Sequence, residues 1–396
     1  MSCAIALIHN KKPSEKKPGL PEDYFSECDS TKTIEAIARV LRRAGHKVLP
    51  VEADRNLPVW FKDHPVDLAF NIAEGFAGEA REARVPALLE LLEIPYTGSS
   101  VLALALALDK ARSKQLFRQG GIPTPKFQLF HRPDEPLDER LPFPLIVKPN
   151  REGSGKGIWA SSVVHNEQAL RAQVKKVYEE YRQEILVEEF VEGTELTVGI
   201  LGTDEALPVL EVDFSTCGPS GESFYSWRMK EFQGNKEMHL TPKFWCPARL
   251  SAETAAGAQA VAVKAAKALG TRDVARVDIR LTCDGIPYVL EVNPLPGLDP
   301  EESNLPLMAQ MAGISYEALI CRILDGAAQR SAATSFHPLS RVVHPAPQNP
   351  KGRELPDSTE KKGLRLSGKP QLAVRQSVKR HEGTRHDHSK EEHLGR

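Results

Sequence analysis

The sequence predicts a layered α/β protein, and three observations predict it. Strand-like and helix-like apolar patterns alternate through the first hundred residues, the signature of strands connected by covering helices. Further on, an Asp284-Gly285 pair separates two alternating runs and predicts a hairpin. The composition, 41% hydrophobic and 27% charged over 396 residues, is that of a globular chain with room for two or three domains.

The elements follow in order. Residues 3–8 form an apolar run of buried-strand length. Ser30 caps a helix carrying Ile34, Ile37 and Leu41 at 3–4 spacing, and Gly45 stops it. Residues 48–51 and 66–72 are strands, and Val85, Leu88, Leu89 and Leu92 mark an amphipathic helix ahead of a turn at 95–98. Such alternation calls for parallel strands. Residues 99–115 read as one helix, because the alanines and the following Lys, Arg and Gln outweigh a short strand-like alternation. Strands are expected at 145–148, 184–190 and 196–201, and helices at 167–181 and 251–269, the latter closed by Gly270. From about Ser331 periodicity is lost and Pro, His, Lys and Arg accumulate, so a disordered tail is expected.

Charge and cysteines narrow the function classes. The net charge of −1 carries no nucleic-acid-type basic excess, although residues 331–396 hold 13 Lys and Arg against 7 Asp and Glu. That basic tail is a weak candidate for binding an acidic partner. The six cysteines lack any C-x-x-C spacing and read as buried thiols of a reducing cytosol. The longest apolar run, 101–108, is too short to span a bilayer, and residues 1–10 carry no basic leader region. A soluble, cytoplasmic protein is the expectation.

The chemistry concentrates in residues 275–294. With the turn centred on Asp284-Gly285, residues whose numbers sum to 569 face one another, so Asp278 opposes Glu291 and Arg276 opposes Asn293. Period two then sets these four on one face and Val277, Ile279, Leu281, Leu290 and Val292 on the other. Opposed carboxylates repel and need positive charge between them. Arg276 or Arg280 supplies it in one reading; in the other, two carboxylates and an amide oxygen hold a hard divalent cation such as Mg²⁺. A second feature, residues 148–157, sets Gly153, Ser154, Gly155 and Gly157 between Lys148 and Lys156, a loop able to cradle phosphate or merely to turn. It is no P-loop, since Asn150 stands where the first glycine is required and Gly157 where Ser or Thr must follow the lysine.

Taken together, ordered segments make the chain resemble the D-alanine–D-alanine ligase family of the ATP-grasp superfamily. They are Pro95 to Ser99, Asp109-Lys110 with Ser113-Lys114, Arg151 to Ser154 after the 145–148 strand, Val187 to Phe190 with Gly193 to Glu195, Phe224-Tyr225 with Lys230, Cys246 to Ala248, Arg276 to Asp278, and Glu291 to Asn293 with Pro296-Gly297. The resemblance covers roughly residues 1–326. It implies an ATP-grasp fold of three α/β domains, 1–98, 99–188 and 189–327, followed by a tail from 328 to 396, with nucleotide between the second and third domains. It implies that Lys110, Lys148 and Lys230 meet the ATP phosphates, the last from a closing loop. Glu188 would accept from the adenine amino group, the backbone of Glu189 to Val191 would read the ring edge, and Glu195 would hold the ribose. Asp278, Glu291 and Asn293 would ligate two Mg²⁺ ions, Mn²⁺ being an alternative. Arg276 and the Gly297 N–H would stabilise an oxyanion, and Glu27 and Ser154 would belong to a glutamate–serine–tyrosine triad. The implied reaction joins two amino acids through an acyl phosphate, releasing ADP and phosphate, and a homodimer is implied with it.

Three departures concern the amino-acid side of the site. Glu74, in Asn71 to Gly75, stands where the family usually has the histidine of an Ala-Leu-His-Gly motif. Gly155 replaces a serine of Glu-Gly-Ser-Ser, and Glu231 replaces the tyrosine after the lid lysine. Residues 299–305 carry an apparent insertion, with Ser303 the candidate for the second amino acid. Glu74 either points inward at the substrate, where it would attract a cationic group or repel a carboxylate, or it faces solvent or pairs with Arg81 or Arg84. The preferred substrate therefore stays open between D-alanine and another amino acid or peptide, with a non-catalytic ATP sensor as the rival of another class.

Overall fold

The first apolar run has no polar alternation because both of its faces are covered. In the computed structural model, which describes residues 2–13, 15, 19–217 and 223–334, this run is β1 (Ala4–His9). It is hydrogen-bonded on either side to β2 (Lys47–Glu52) and β3 (Leu68–Asn71), both parallel to it. Ile5 and Leu7 join the cluster of Ile34, Ile37 and Leu41 from α1 (Thr31–Arg43). Ala6 and Ile8 point the other way, toward α2 (Leu57–Asp63) and α3 (Arg84–Leu91). Ser30 caps α1 as expected, its hydroxyl accepting from the Thr33 N–H at 3.1 Å.

Residues 99–115 correct the expectation of one helix. They make two, α4 (Val101–Leu108) and α5 (Lys110–Gln119), broken at Asp109, which adopts an extended backbone (φ −83°, ψ 96°). The physical reason is capping: the Asp109 carboxylate accepts from the Arg112 N–H at 3.0 Å, which an aspartate inside a continuous helix cannot do.

The second sheet, antiparallel, contains β4 (Phe127–Phe130), β5 (Leu145–Pro149), β6 (Val163–Val164) and β7 (Ile185–Glu189) in the order β4-β7-β5-β6. Leu145, Val147, Ile185 and Val187 pack under α6 (Glu167–Tyr181), so Ile146, Lys148 and Glu188 take the opposite face. That parity turns a buried lysine and a buried glutamate toward the site.

The third sheet is also antiparallel. Its strands are β8 (Thr194–Leu201), β9 (Glu205–Ala206), β10 (Leu210–Asp213), β11 (Lys243–Trp245), β12 (Val274–Leu281) and β13 (Pro287–Asn293), ordered β11-β10-β8-β12-β13 with β9 on β8. A short helix, α7 (Trp227–Glu231), lies between β10 and β11, and α8 (Ala252–Leu269) covers one face through Ala258, Ala262 and Ala265. The predicted hairpin exists, but its turn is longer than two residues. Leu281 opposes Pro287, and the register shifts between Asp278 and Ile279, leaving Leu290 as an extra residue on β13. The longer turn and the bulge offset each other, so Asp278 still faces Glu291 and Arg276 still faces Asn293. Leu290 is the casualty. Expected on the apolar face, it lines the cleft beside Glu291 instead.

After α9 (Asn304–Met311), α10 (Tyr316–Thr334) packs Leu319, Ile320 and Ile323 against α1 and β1. This helix runs past residue 328, where a tail was expected to begin. Ala327 is buried, and Arg330 forms an ion pair with buried Asp273 while its Nη2 donates to the Tyr96 carbonyl at 3.0 Å. The remainder of the expected tail, with its basic patch, lies outside the described residues. Removing one partner of a buried pair leaves the other charge uncompensated. Arg330→Ala is therefore expected to lower stability by about 1–3 kcal/mol, since the arginine itself is partly exposed; chemical denaturation checks it, and an unchanged midpoint would refute the assignment.

Among the described residues the thiols form no disulfide, but they are not the buried set expected: Cys283 is exposed at the hairpin turn and the other five are half-buried. Among the described residues no single helix is long and apolar enough to cross a membrane.

Candidate active site

Two cavities meet on the open faces of the second and third sheets. One, of about 690 Å³, is lined by Lys110, Lys148, Glu188, Glu189, Val191, Glu195 and Lys230 together with Asp278 and Glu291. All seven residues expected to hold nucleotide are therefore brought together. Its apolar walls, Ile146, Phe190, Phe224 and Leu290, were not foreseen, although period two in β5 already placed Ile146 beside Lys148. The other cavity, of about 1610 Å³, is lined by Glu27, Glu74, Ser154, Arg276, Asn293, Gly297 and Ser303, and shares Lys230 with the first.

The electrostatics of the first cavity are those of paired charges held out of water. Glu188 is buried between Lys148 Nζ at 2.5 Å and Lys114 Nζ at 2.9 Å. Burial raises the Glu188 carboxyl and the two lysines outweigh it, so its pKa is lowered. Burial lowers Lys114 to about 8 despite Glu188. Glu195 pairs with Arg280 at 3.1 Å. Lys230 reaches the site from α7, and its pKa is lowered by burial and by Arg276. The helix is pinned by Trp227, whose Nε1 donates to Ser26 Oγ at 2.6 Å and whose backbone N–H donates to the Ile158 carbonyl at 3.1 Å.

The hairpin carboxylates draw positive charge from two directions. Arg276 forks Asp278, Nε to Oδ1 at 2.9 Å and Nη2 to Oδ2 at 2.8 Å, while Lys110 Nζ lies 3.2 Å from Glu291. Burial alone would raise Glu291, but Lys110, Lys230, Lys148 and Arg276 hold it well below the usual carboxylate range. Asn293 Nδ2 donates to Asp278 Oδ2 at 3.2 Å, which leaves its carbonyl oxygen facing away from that bond. An ionised glutamate, an aspartate and an amide oxygen on one face suit a hard divalent cation, provided that Asp278 gives up one of its present donors. The donor set fits.

Glu27 is the hub of the second cavity. It accepts from Gly153 N–H at 2.7 Å, Arg81 Nη2 at 2.6 Å and Lys156 Nζ at 3.2 Å. Lys156 thus turns toward carboxylates instead of lining the nucleotide cleft, although Gly155 of the same loop does line it. Neither Arg81 nor Lys156 was singled out as a site residue, and only the proximity of Arg81 to Glu74 in sequence hinted at it.

A family model described as the D-Ala D-Ala ligase C-terminus matches residues 116–325, more than half of the chain. The chain belongs to the D-alanine–D-alanine ligase family. The D-alanine–D-alanine ligase of Syntrophotalea carbinolica is 40% identical over 302 residues, covering 76% of this chain and 92% of that protein. An uncharacterized protein, y4sG, of Sinorhizobium fredii is 37% identical over 306 residues, covering 75% and 87%. Among solved structures, the Bacillus anthracis D-alanine–D-alanine ligase complexed with ATP aligns with a TM-score of 0.66 at 26% identity, covering 84% of this chain and 99% of that one. The protein is an ATP-grasp ligase that forms a peptide bond.

Two departures from the family pattern now have physical reasons. At Gly155 φ is +74°, and a Cβ there would lie 2.9 Å from the Trp227 backbone nitrogen, so the missing serine lets α7 approach closely. Glu231, in place of the ligase tyrosine, pairs with Lys12 at 2.8 Å and ties α7 by charge to the segment that follows β1. Ser303 caps the Asp299 N–H at 3.0 Å, and a Cβ on Gly297 would lie 2.7 Å from its hydroxyl, so both sit at one wall of the larger cavity.

Proposed function

We propose that the ligase activates the carboxylate of one amino acid with ATP and couples it to the amine of a second, the three sheets serving as domains 1–98, 99–188 and 189–327. The observation that supports this most is that the two cavities share Lys230 and flank the same hairpin face, so phosphates and carboxylates have adjoining places. ATP occupies the smaller cleft, its adenine against Glu188 and the Glu189 to Val191 backbone, its ribose at Glu195, and its phosphates at Lys110, Lys148 and Lys230. Asp278, Glu291 and Asn293 would hold two magnesium ions. Bound there, magnesium neutralises charge on the transferring phosphoryl group.

The carboxylate of the first amino acid attacks the γ-phosphorus, ADP leaves, and an acyl phosphate forms on the substrate. The amine of the second amino acid, held near Ser303, then attacks the acyl carbon. Arg276 and the Gly297 N–H stabilise the oxyanion before phosphate departs, each donor contributing a few kcal/mol to the barrier reduction. Glu27 holds the glycine loop through the Gly153 N–H, Ser154 stands with it as the serine of the triad that the family resemblance implies, and α7 excludes water that would hydrolyse the intermediate. A cytoplasmic, homodimeric enzyme accords with this reading.

The test is ADP formation with and without amino acids, over D and L series. At least a tenfold dependence on an amino acid is expected. Tight ATP binding without such turnover would favour the sensor instead.

A further inference from the structure

One buried charge beside the nucleotide cleft has no task in the reaction proposed above. Lys114, in the middle of α5, is fully buried and does not line the cleft. Its Nζ lies 2.9 Å from Glu188 Oε2 and donates to the Thr124 hydroxyl at 3.1 Å. That hydroxyl donates in turn to the Val289 carbonyl of β13 at 2.8 Å. The ammonium is thus fixed behind the carboxylate that the cleft presents.

Glu188 does not need it as a counter-charge in the empty protein. Lys148 Nζ already stands 2.5 Å from Oε1, and a buried acid with one buried lysine is a neutral pair. The second lysine makes one carboxylate face two cations. Burial opposes that surplus and brings Lys114 down to about 8, although Glu188 and Glu291 attract it. A further observation concerns the acid itself. Glu188 Oε2 is buried and accepts no aligned hydrogen bond among the described residues, Lys114 standing beside it as a charge. The carboxylate therefore keeps room for one more N–H donor, which an exocyclic amino group supplies and a carbonyl does not.

We infer that Lys114 is a positioning residue for base recognition: it holds Glu188 as a charged acceptor for the 6-amino group of adenine once Lys148 has committed its charge to the phosphates. The inference rests on the nucleotide placement proposed above. When phosphate neutralises Lys148, a Glu188 without Lys114 is a buried carboxylate with no cation left, and it takes up a proton instead. A protonated carboxyl donates, so it suits a 6-oxo purine and loses its preference for a 6-amino one. Lys114 sets the choice of nucleotide without touching it.

The experiment uses the full chain with magnesium and measures, by calorimetry, the Kd values of ATP and of inosine triphosphate, which carries an oxygen in place of the 6-amino group. The unaltered protein should prefer ATP by about twentyfold or more, because a carboxylate facing that oxygen is left unpaired. Lys114→Met should shrink the preference by about tenfold, mostly through weaker ATP binding. Its melting temperature should not fall, because Lys148 and Glu188 remain a matched pair, and this separates the effect from misfolding. Glu188→Gln, whose amide offers either an acceptor or a donor, should also lose the preference, and adding Lys114→Met to it should change nothing further. If Lys114→Met leaves the preference intact while Glu188→Gln abolishes it, the inference is overturned and the nucleotide placement stands. Equal losses from Lys114→Met in both backgrounds would overturn it too, making Lys114 a packing residue. A Glu188→Gln variant with the original preference would instead defeat the placement of adenine on which the inference stands.

Discussion

Glu291→Gln is expected to lower kcat at least a hundredfold while the chain remains folded. The side chain keeps its volume and its place opposite Asp278, but the charge is gone. That charge has two tasks. Before substrate arrives it offsets Lys110, 3.2 Å away, and the neighbouring Lys230 and Lys148, whose attraction outweighs burial and keeps the carboxyl ionised. In the proposed reaction it would help hold the divalent cations that neutralise the phosphoryl group, and such fixed charge is worth about 10²–10³ in kcat per group. Removing it should also cost about 1–3 kcal/mol of stability in the ligand-free protein, because three lysines lose a counter-charge. Weakened manganese binding, followed by paramagnetic relaxation of water, separates a metal role from a purely structural one. Turnover within threefold of the wild type would remove Glu291 from the metal site.

The sequence carried the nucleotide side of this site further than the amino-acid side, and the reason lies in periodicity. Lys148, Glu188, Asp278 and Glu291 sit on strands, where alternation decides the face whatever the loop lengths are. Even the mistaken two-residue turn did no harm to Asp278 and Glu291, since the bulge at Leu290 restored their pairing; it misplaced only Leu290 itself. Asp109 shows the converse. Its neighbours favour a continuous helix, and a single capping carboxylate overrides them, which no summed propensity registers. Arg81 and Lys156 were harder to read for another reason: each finds Glu27 from a distant segment, Arg81 meeting Glu27 and the Arg151 carbonyl only after three parts of the chain have come together. Long-range ion pairs leave no local spacing to detect.

That long-range hub gives the second large effect. Glu27→Gln is expected to destabilise the protein by about 3–5 kcal/mol, because Arg81 and Lys156, both buried, would lose the acid between them. For a chain of this size the melting temperature should fall by about 5 °C or more. The sign of the pH dependence follows from the same geometry. Burial pushes the Glu27 carboxyl up, but Arg81 and Lys156 prevail and its pKa is lowered in the folded state. A depressed carboxyl contributes stability that is fully present above its unfolded value, near 4.5, and is lost as pH falls through the folded value. Wild-type stability should thus decline below about pH 4.5 more steeply than that of Glu27→Gln. Adding Arg81→Met to Glu27→Gln removes one stranded charge and should recover part of the loss, a coupling that a double-mutant cycle measures directly. The amide also accepts more weakly from the Gly153 N–H, so residues 152–157 loosen beneath Trp227, and ADP formation should fall through kcat more than through the KM for ATP. Additive stability losses with an unchanged acid limb would mean that Glu27 acts through packing alone and that the charges around it are independent.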